Sequence, residues 1–453
     1  MKFIKNITHL FKKNRINRKV LQIAIPSSLG MMSQTAVMIT DTIMTGRLGV
    51  SQQAAVGLGG MLIWTIMAFL MGGSTGIQII VSRRIGEKNI TAAGQTLLTA
   101  LLFFFLLGIV ITLAGILASP KLAEFFAVQK ELVQIASPFL QFRFAGILIY
   151  LLNSAFIGFF NATGKTKITM ISSFAVAISN IILNYVLIFG KFGVPAYGTI
   201  GAAIASSLAP ITGMLVFLIY CFQKQFIVYF AIKERKINFS ILKNISRLSF
   251  GPAMEGFLMH FAFLIFYRFA ANISTISVAA TNIIVSIMSI SFMPGFSFGI
   301  AALTLLGQNI GAKKNHLARF AVYRCANYAA FIMSALGIVF IILRKQIVQI
   351  FTEDNYVIED AIPALIIVSL AQAGDAYHMV MSSALRGAGY VYWVLKANVL
   401  ISFGAMLPFA YYLGISLKMG TLGLWISVFI WLVLLGGVFS YKFIKGKWIS
   451  GRV

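Results

Sequence analysis

Polar residues are sparse along this chain, and the stretches between them are long. Apolar runs of about twenty residues or more, the length a helix needs to cross a bilayer, recur near 20–44, 54–81, 94–117, 133–159, 168–190 and 198–222. They return near 245–270, 277–304, 319–343, 357–385, 393–414 and 420–441. The runs are too continuous for barrel strands, which alternate over about ten residues. The pattern predicts an all-α polytopic membrane protein with twelve transmembrane helices.

The two sets of six runs repeat each other in parallel. Ile85-Gly86-Glu87-Lys88 returns as Ile310-Gly311-Ala312-Lys313, and Ala162-Thr163-Gly164 as Gly387-Ala388-Gly389. Gly198-Thr199-Ile200-Gly201 returns as Gly420-Thr421-Leu422-Gly423, and Pro26 pairs with Pro252. A shift that passes six helices, an even number, brings both copies into the membrane from the same side. Parallel repeats of this kind form two lobes about a pseudo-twofold axis along the membrane normal, with substrate between them. The expected organisation is a cytoplasmic segment at 1–19, an N-lobe at 20–222, a basic cytoplasmic linker at 223–243, a C-lobe at 244–441 and a cytoplasmic tail at 442–453.

Composition agrees with this reading. Hydrophobic residues make up 59% of the 453, charged residues 11%, and the mean hydropathy is +0.90; soluble domains carry about 25% charged residues. The net charge of +26 would suit a nucleic-acid binder, but its placement argues otherwise. With both termini cytoplasmic, most of the basic residues fall on the cytoplasmic side, among them Arg83, Arg84, Lys313, Lys314 and Arg386. That asymmetry is the positive-inside rule, so no nucleic-acid partner is expected and the lipid bilayer is. Cys221 and Cys325 lie near cytoplasmic helix ends, where a disulfide is not expected.

Only 11 residues are acidic, yet Asp41, Glu255 and Asp375 each fall inside an apolar run. A charge at bilayer depth is expensive and by default marks a cation or proton pathway. None of the three has an acidic counterpart in the repeat: their positions correspond to about Tyr267, Gly30 and Tyr150. A structural role shared by both lobes would put acids in both copies, so the asymmetry favours function. Counted from Arg247, Glu255 is about 12 Å along its helix; counted from Arg386, Asp375 is about 16 Å along. At such similar depths the two carboxylates are expected to face each other and share a proton or cation. His378, one turn after Asp375, is positioned to bond it. Near Asp41, Asn180 and Asn184 sit one turn apart on a single face, and Ser206 follows on the next helix. Their oxygens are the ligand type of a hard cation, making Asp41, Asn180 and Asn184 a candidate Na+ site. Asparagines also serve as plain interhelical glue, so the assignment leans on the acid beside them. Gln34 lies upstream on the same polar helix. Pro26 and Pro252 interrupt their helices and are candidate hinges.

These pieces resemble the multidrug and toxic compound extrusion (MATE) family over nearly the whole chain. The resemblance is carried by Pro26, Gln34-Thr35, the segment Asp41 to Gly49, Gly251-Pro252-Ala253-Met254-Glu255, Asp375, the segment Ala384 to Gly389, and the segment Gly420 to Trp425. It implies an antiporter of the bacterial cytoplasmic (inner) membrane, working as a monomer. Such a protein expels small-molecule organic cations in exchange for Na+ or H+, without a cofactor. Asp41 matches the first-lobe acid, and Glu255 with Asp375 matches the second-lobe pair of NorM-type members. Asn184 stands where the DinF-type branch often has aspartate, which also leans towards NorM. Ala371 stands where some NorM-type members have a tyrosine close to the cation, which leaves the coupling ion open. Substrate contacts are expected at Gln34, Asp41, Glu255, Asp375 and His378, and ion coupling at Asp41, Asn180, Asn184, Ser206, Glu255 and Asp375.

Two alternatives are weighed against this reading. A flippase for lipids or lipid-linked oligosaccharides, from the same wider superfamily, needs a cationic cavity to hold pyrophosphate, whereas the basic residues within the runs are few, Arg143 and Arg268 among them. A membrane-embedded enzyme is disfavoured because the chain has no HExxH or GxSxG motif and its loops leave no room for a catalytic domain.

Overall fold

A computed structural model describes residues 15–126, 130–230 and 239–446. Of the expected cytoplasmic segment 1–19, linker 223–243 and tail 442–453, residues 1–14, 231–238 and 447–453 lie outside these ranges, while 15–19, 239–243 and 442–444 are helical ends of the spans and 224–230 form a short helix. Nine described helices are long and apolar enough to cross a membrane, and two bent pairs each make one further span. Arg15–Gly46, polar through Gln34, Thr35, Thr40 and Asp41, misses that hydropathy standard yet is 32 residues long. The spans are therefore twelve. In the first half they are α1 (Arg15–Gly46), α2 (Val50–Gly86), α3 (Ile90–Phe126), α4 (Lys130–Ala145 and Ile147–Ala162), α5 (Thr166–Phe189) and α6 (Gly198–Cys221). In the second they are α7 (Phe239–Ile273), α8 (Thr275–Gly311), α9 (Asn315–Ile342), α10 (Asn355–Leu370 and Gln372–Gly387), α11 (Val391–Ile401, continuing through wider π turns to Ser416) and α12 (Gly420–Ile444).

Local chemistry sets many of the ends. Asp354 accepts from the Tyr356 N–H at 2.9 Å and Ser274 from that of Ser277 at 3.0 Å, capping α10 and α8. The repeat seen in the sequence is written into the backbone as well. Lys88 and Lys313, left-handed at φ 60° and 57°, turn the chain after α2 and α8. At the break in α4 the Gly146 N–H bonds the Arg143 carbonyl, and at the break in α10 the Ala371 N–H bonds that of Val368. These tightened turns accompany bends of 40° and 52°. Each break lies eight residues after a proline, Pro138 or Pro363. The bend in α10 opens a new helical turn that carries Asp375, at an N-terminus whose dipole favours a carboxylate.

The chain divides into two compact units, Leu29–Ala253 and Met1–Ser28 with Met254–Val453. The boundaries fall inside α1 and α7, just after Pro26 and Pro252. Val20, Ile23 and Ala24 of α1 accordingly belong to the apolar core built by the second-half helices. In the other unit, Gly72 and Gly76 of α2 leave room for Ala253 and Ser249 of α7. Within Leu29–Ala253, α5 packs on α6, and α2 and α3 pack on α4; in the other unit α8 and α9 pack on α10, which also meets α12. Exposed Leu113, Leu117, Phe125 and Leu400 are the apolar positions a lipid-facing surface requires.

Candidate functional site

One polar cluster lies in the Leu29–Ala253 unit. Asp41 comes from α1, Asn180 and Asn184 from one face of α5, and Ser206 from α6. The Asn184 amide donates to Asp41 Oδ1 at 2.5 Å and to Asn180 Oδ1 at 2.9 Å. Asn180 in turn donates to Ser206 Oγ at 3.4 Å. Asn184 is fully buried, and its Oδ1 has no hydrogen-bond partner. A buried carbonyl oxygen without a partner is costly by itself, and that cost is relieved if a cation binds it. Arg143, three residues before the α4 bend, exerts an electrostatic attraction on Asp41. Gln34 is exposed two helical turns before Asp41, and no hydrogen bond joins it to the cluster.

The second cluster lies in the other unit. Arg386 Nη2 meets Glu255 Oε1 at 2.5 Å, and the Asn398 amide donates to the same oxygen at 2.8 Å. Asn398 Oδ1 lies 3.1 Å from His378 Nε2, and His378 Nδ1 lies 3.5 Å from Asp375 Oδ1. The rings of Trp431 and Phe439 flank the imidazole. Glu255 and Asp375 therefore do not touch: Asn398 and His378 stand between them. Glu255 Oε2, Asp375 Oδ2 and His378 Nδ1 are buried without hydrogen-bond partners.

The structure thus joins Asp41, Asn180, Asn184 and Ser206 in one cluster and Glu255, Asp375 and His378 in another. Pro26 and Pro252 sit apart from both, inside α1 and α7. Two members of the second cluster were not anticipated. Arg386, counted from the sequence among the cytoplasmic charges and used there to measure depth, is largely buried and paired with Glu255. Asn398 was not singled out, although it is the one amide in the apolar run 393–414, and that isolation was the available signal.

Comparison with known proteins identifies the setting of these clusters. The MatE family profile matches residues 26–186 and again residues 252–412, one copy in each half. A probable multidrug resistance protein NorM from Thermotoga maritima is 25% identical over 437 residues, covering 96% of this chain and 93% of that protein. The probable NorM of Pasteurella multocida is 28% identical over 422 residues, covering 90% of each. Among solved structures, an outward-facing multidrug resistance MATE family transporter of the MOP superfamily superposes with a TM-score of 0.89 at 22% identity, over 98% of both chains. That likeness establishes the twelve-helix, two-lobe fold.

Proposed function

Because the chain belongs to the MatE family, we propose that this multi-pass membrane transporter is a secondary antiporter expelling organic cations in exchange for Na+ or H+. The observation that carries the reading is the acid cluster in each unit, half-buried at Asp41 and buried at Glu255 and Asp375, asymmetric although the units are repeats. An organic cation and a coupling ion seek the same thing in such a cluster, a carboxylate poorly served by its surroundings. Around Asp41 the oxygens are the carboxylate, Asn180 Oδ1 and Ser206 Oγ, and turning the Asn184 amide over would add its unpartnered Oδ1 in place of the NH2 that now faces the carboxylate. That set suits Na+ as well as a proton. The basic residues inside the clusters support cation rather than pyrophosphate transport, since Arg386 is paired with Glu255 and Arg143 is drawn to Asp41. The protein acts as a monomer in the bacterial cytoplasmic membrane with both termini cytoplasmic. The deciding experiment is cation-dye efflux from proteoliposomes under a Na+ gradient alone and a pH gradient alone. Protein that binds dye yet moves none under either gradient would sink the antiport reading.

Competition for the acids supplies the coupling. Raising Na+ or proton concentration weakens equilibrium binding of a cationic dye, and by linkage the dye weakens ion binding by the same factor. Equilibrium dye titrations across pH and Na+ measure this directly. Affinity indifferent to both ions, in protein active in efflux, would require a different coupling scheme.

Pro26 and Pro252 stand where α1 and α7 pass from one compact unit to the other, and a proline frees a backbone carbonyl there and permits bending. Pro26→Ala and Pro252→Ala restore the missing N–H and stiffen the crossing. They are expected to slow efflux several-fold while leaving equilibrium dye affinity within about twofold. Efflux at the wild-type rate in both variants would remove the hinge role.

A further inference from the structure

The hydrogen bonds of the second cluster determine where a proton is missing. Glu255, held by Arg386, presents acceptor oxygens only, so the Asn398 group facing it at 2.8 Å is the NH2. That orientation turns Asn398 Oδ1 towards His378, and a carbonyl oxygen can only accept, so Nε2 carries a hydrogen. In the neutral imidazole the other nitrogen then bears a lone pair. That nitrogen, Nδ1, points at Asp375 Oδ1 across 3.5 Å, too far for a hydrogen bond. Two buried acceptors thus confront each other. Asp375 is 1% exposed, and its other oxygen has no partner either.

We propose that Asp375 and His378 together hold the transported proton, on the Nδ1 lone pair facing Asp375, and that Asn398 is the positioning residue aiming that lone pair at the acid. The proposal deepens the antiport reading and rests on it for the word transported. A proton passes from water to Nδ1, converting a neutral imidazole and a carboxylate into an imidazolium–carboxylate pair, and no other bond changes. The contact then becomes a charge-assisted hydrogen bond, which closes to about 2.7–2.9 Å. Of the two acids, Asp375 is the one without a resident cation; Glu255 already has Arg386 and serves as the anchor that orients Asn398.

The surroundings add few other charges. From α7 Glu255 takes part, while His260 turns back to the Gly256 carbonyl of its own helix. The sequence of α8 contains no titratable side chain. From α9, Asn327 accepts from the Tyr377 hydroxyl, Tyr323 lies near that same hydroxyl, and Arg324 stacks over Phe320. On α11 Lys396 is exposed, while on α12 the rings of Trp431 and Phe439 face His378 and Lys442 lies over Tyr390 and Trp393.

The test is 15N NMR of histidine-labelled full-length protein in nanodiscs, with the four histidines distinguished by the His378→Gln spectrum. Neutral His378 is expected as the Nε2–H tautomer. Asn398→Leu should erase that preference, and Asp375→Asn should weaken proton binding at His378 by about tenfold or more. An Nδ1–H tautomer in the wild type, or a His378 titration untouched by both variants, would overturn the proposal. None of these readings requires dye. Dye efflux driven by a pH gradient, measured on the same preparations, tests the antiport reading separately: its absence in the wild type removes that reading, while the NMR result still decides where the proton sits.

Discussion

Asp41→Asn is expected to abolish gradient-driven transport while leaving the protein folded. The substitution keeps size and polarity, and an asparagine at 41 can still accept from the Asn184 amide that now lies 2.5 Å from the carboxylate. Its loss is the negative charge. Without that charge the unpartnered Asn184 Oδ1 is a neutral carbonyl beside a neutral amide, and neither Na+ nor an organic cation recovers its desolvation cost there. Arg143 loses an attractive partner but no ion pair. The melting temperature in detergent should therefore move by no more than a few degrees, while efflux under either gradient falls to the level of empty liposomes. Wild-type efflux by Asp41→Asn would take this residue out of the mechanism.

Glu255→Gln has the opposite signature, a structural loss as well as a functional one. It removes the partner of a largely buried guanidinium, and breaking a buried pair from one side costs about 3–5 kcal/mol because the remaining charge is uncompensated. The double variant Glu255→Gln with Arg386→Gln removes both charges and should regain most of that stability without regaining transport. A double-mutant cycle on thermal unfolding measures the coupling. Simple additivity would mean that the 2.5 Å contact does not couple the two residues energetically. The Asn398 bond to the same oxygen leads to a further expectation. The effects of altering Glu255 and Asp375 on the pH profile of transport are non-additive, transmitted through Asn398 and His378 rather than by direct contact.

The sequence by itself determined whatever depends on one helix at a time. Bilayer thickness demands long apolar runs, so the number and type of elements were readable from residues in order, including α1, whose polar residues pull its hydropathy down. Duplication was readable because turn residues recur at one offset, and Lys88 and Lys313 adopt the same left-handed turn. The Asn180–Asn184 face was readable from helical periodicity alone. Only the tertiary structure decided what depends on how helices are rotated against one another. A span that is apolar all round carries little mark of which side meets lipid and which meets a neighbour, so the placing of Asn398 beside Glu255 had no local signature. Arg386 looked like a helix-end cation because its neighbours in sequence are glycines and a turn; its partner is 131 residues away. The assignment of the first turns of α1 and α7 to opposite units was likewise invisible, since hydropathy measures what a helix buries and not whose core receives it.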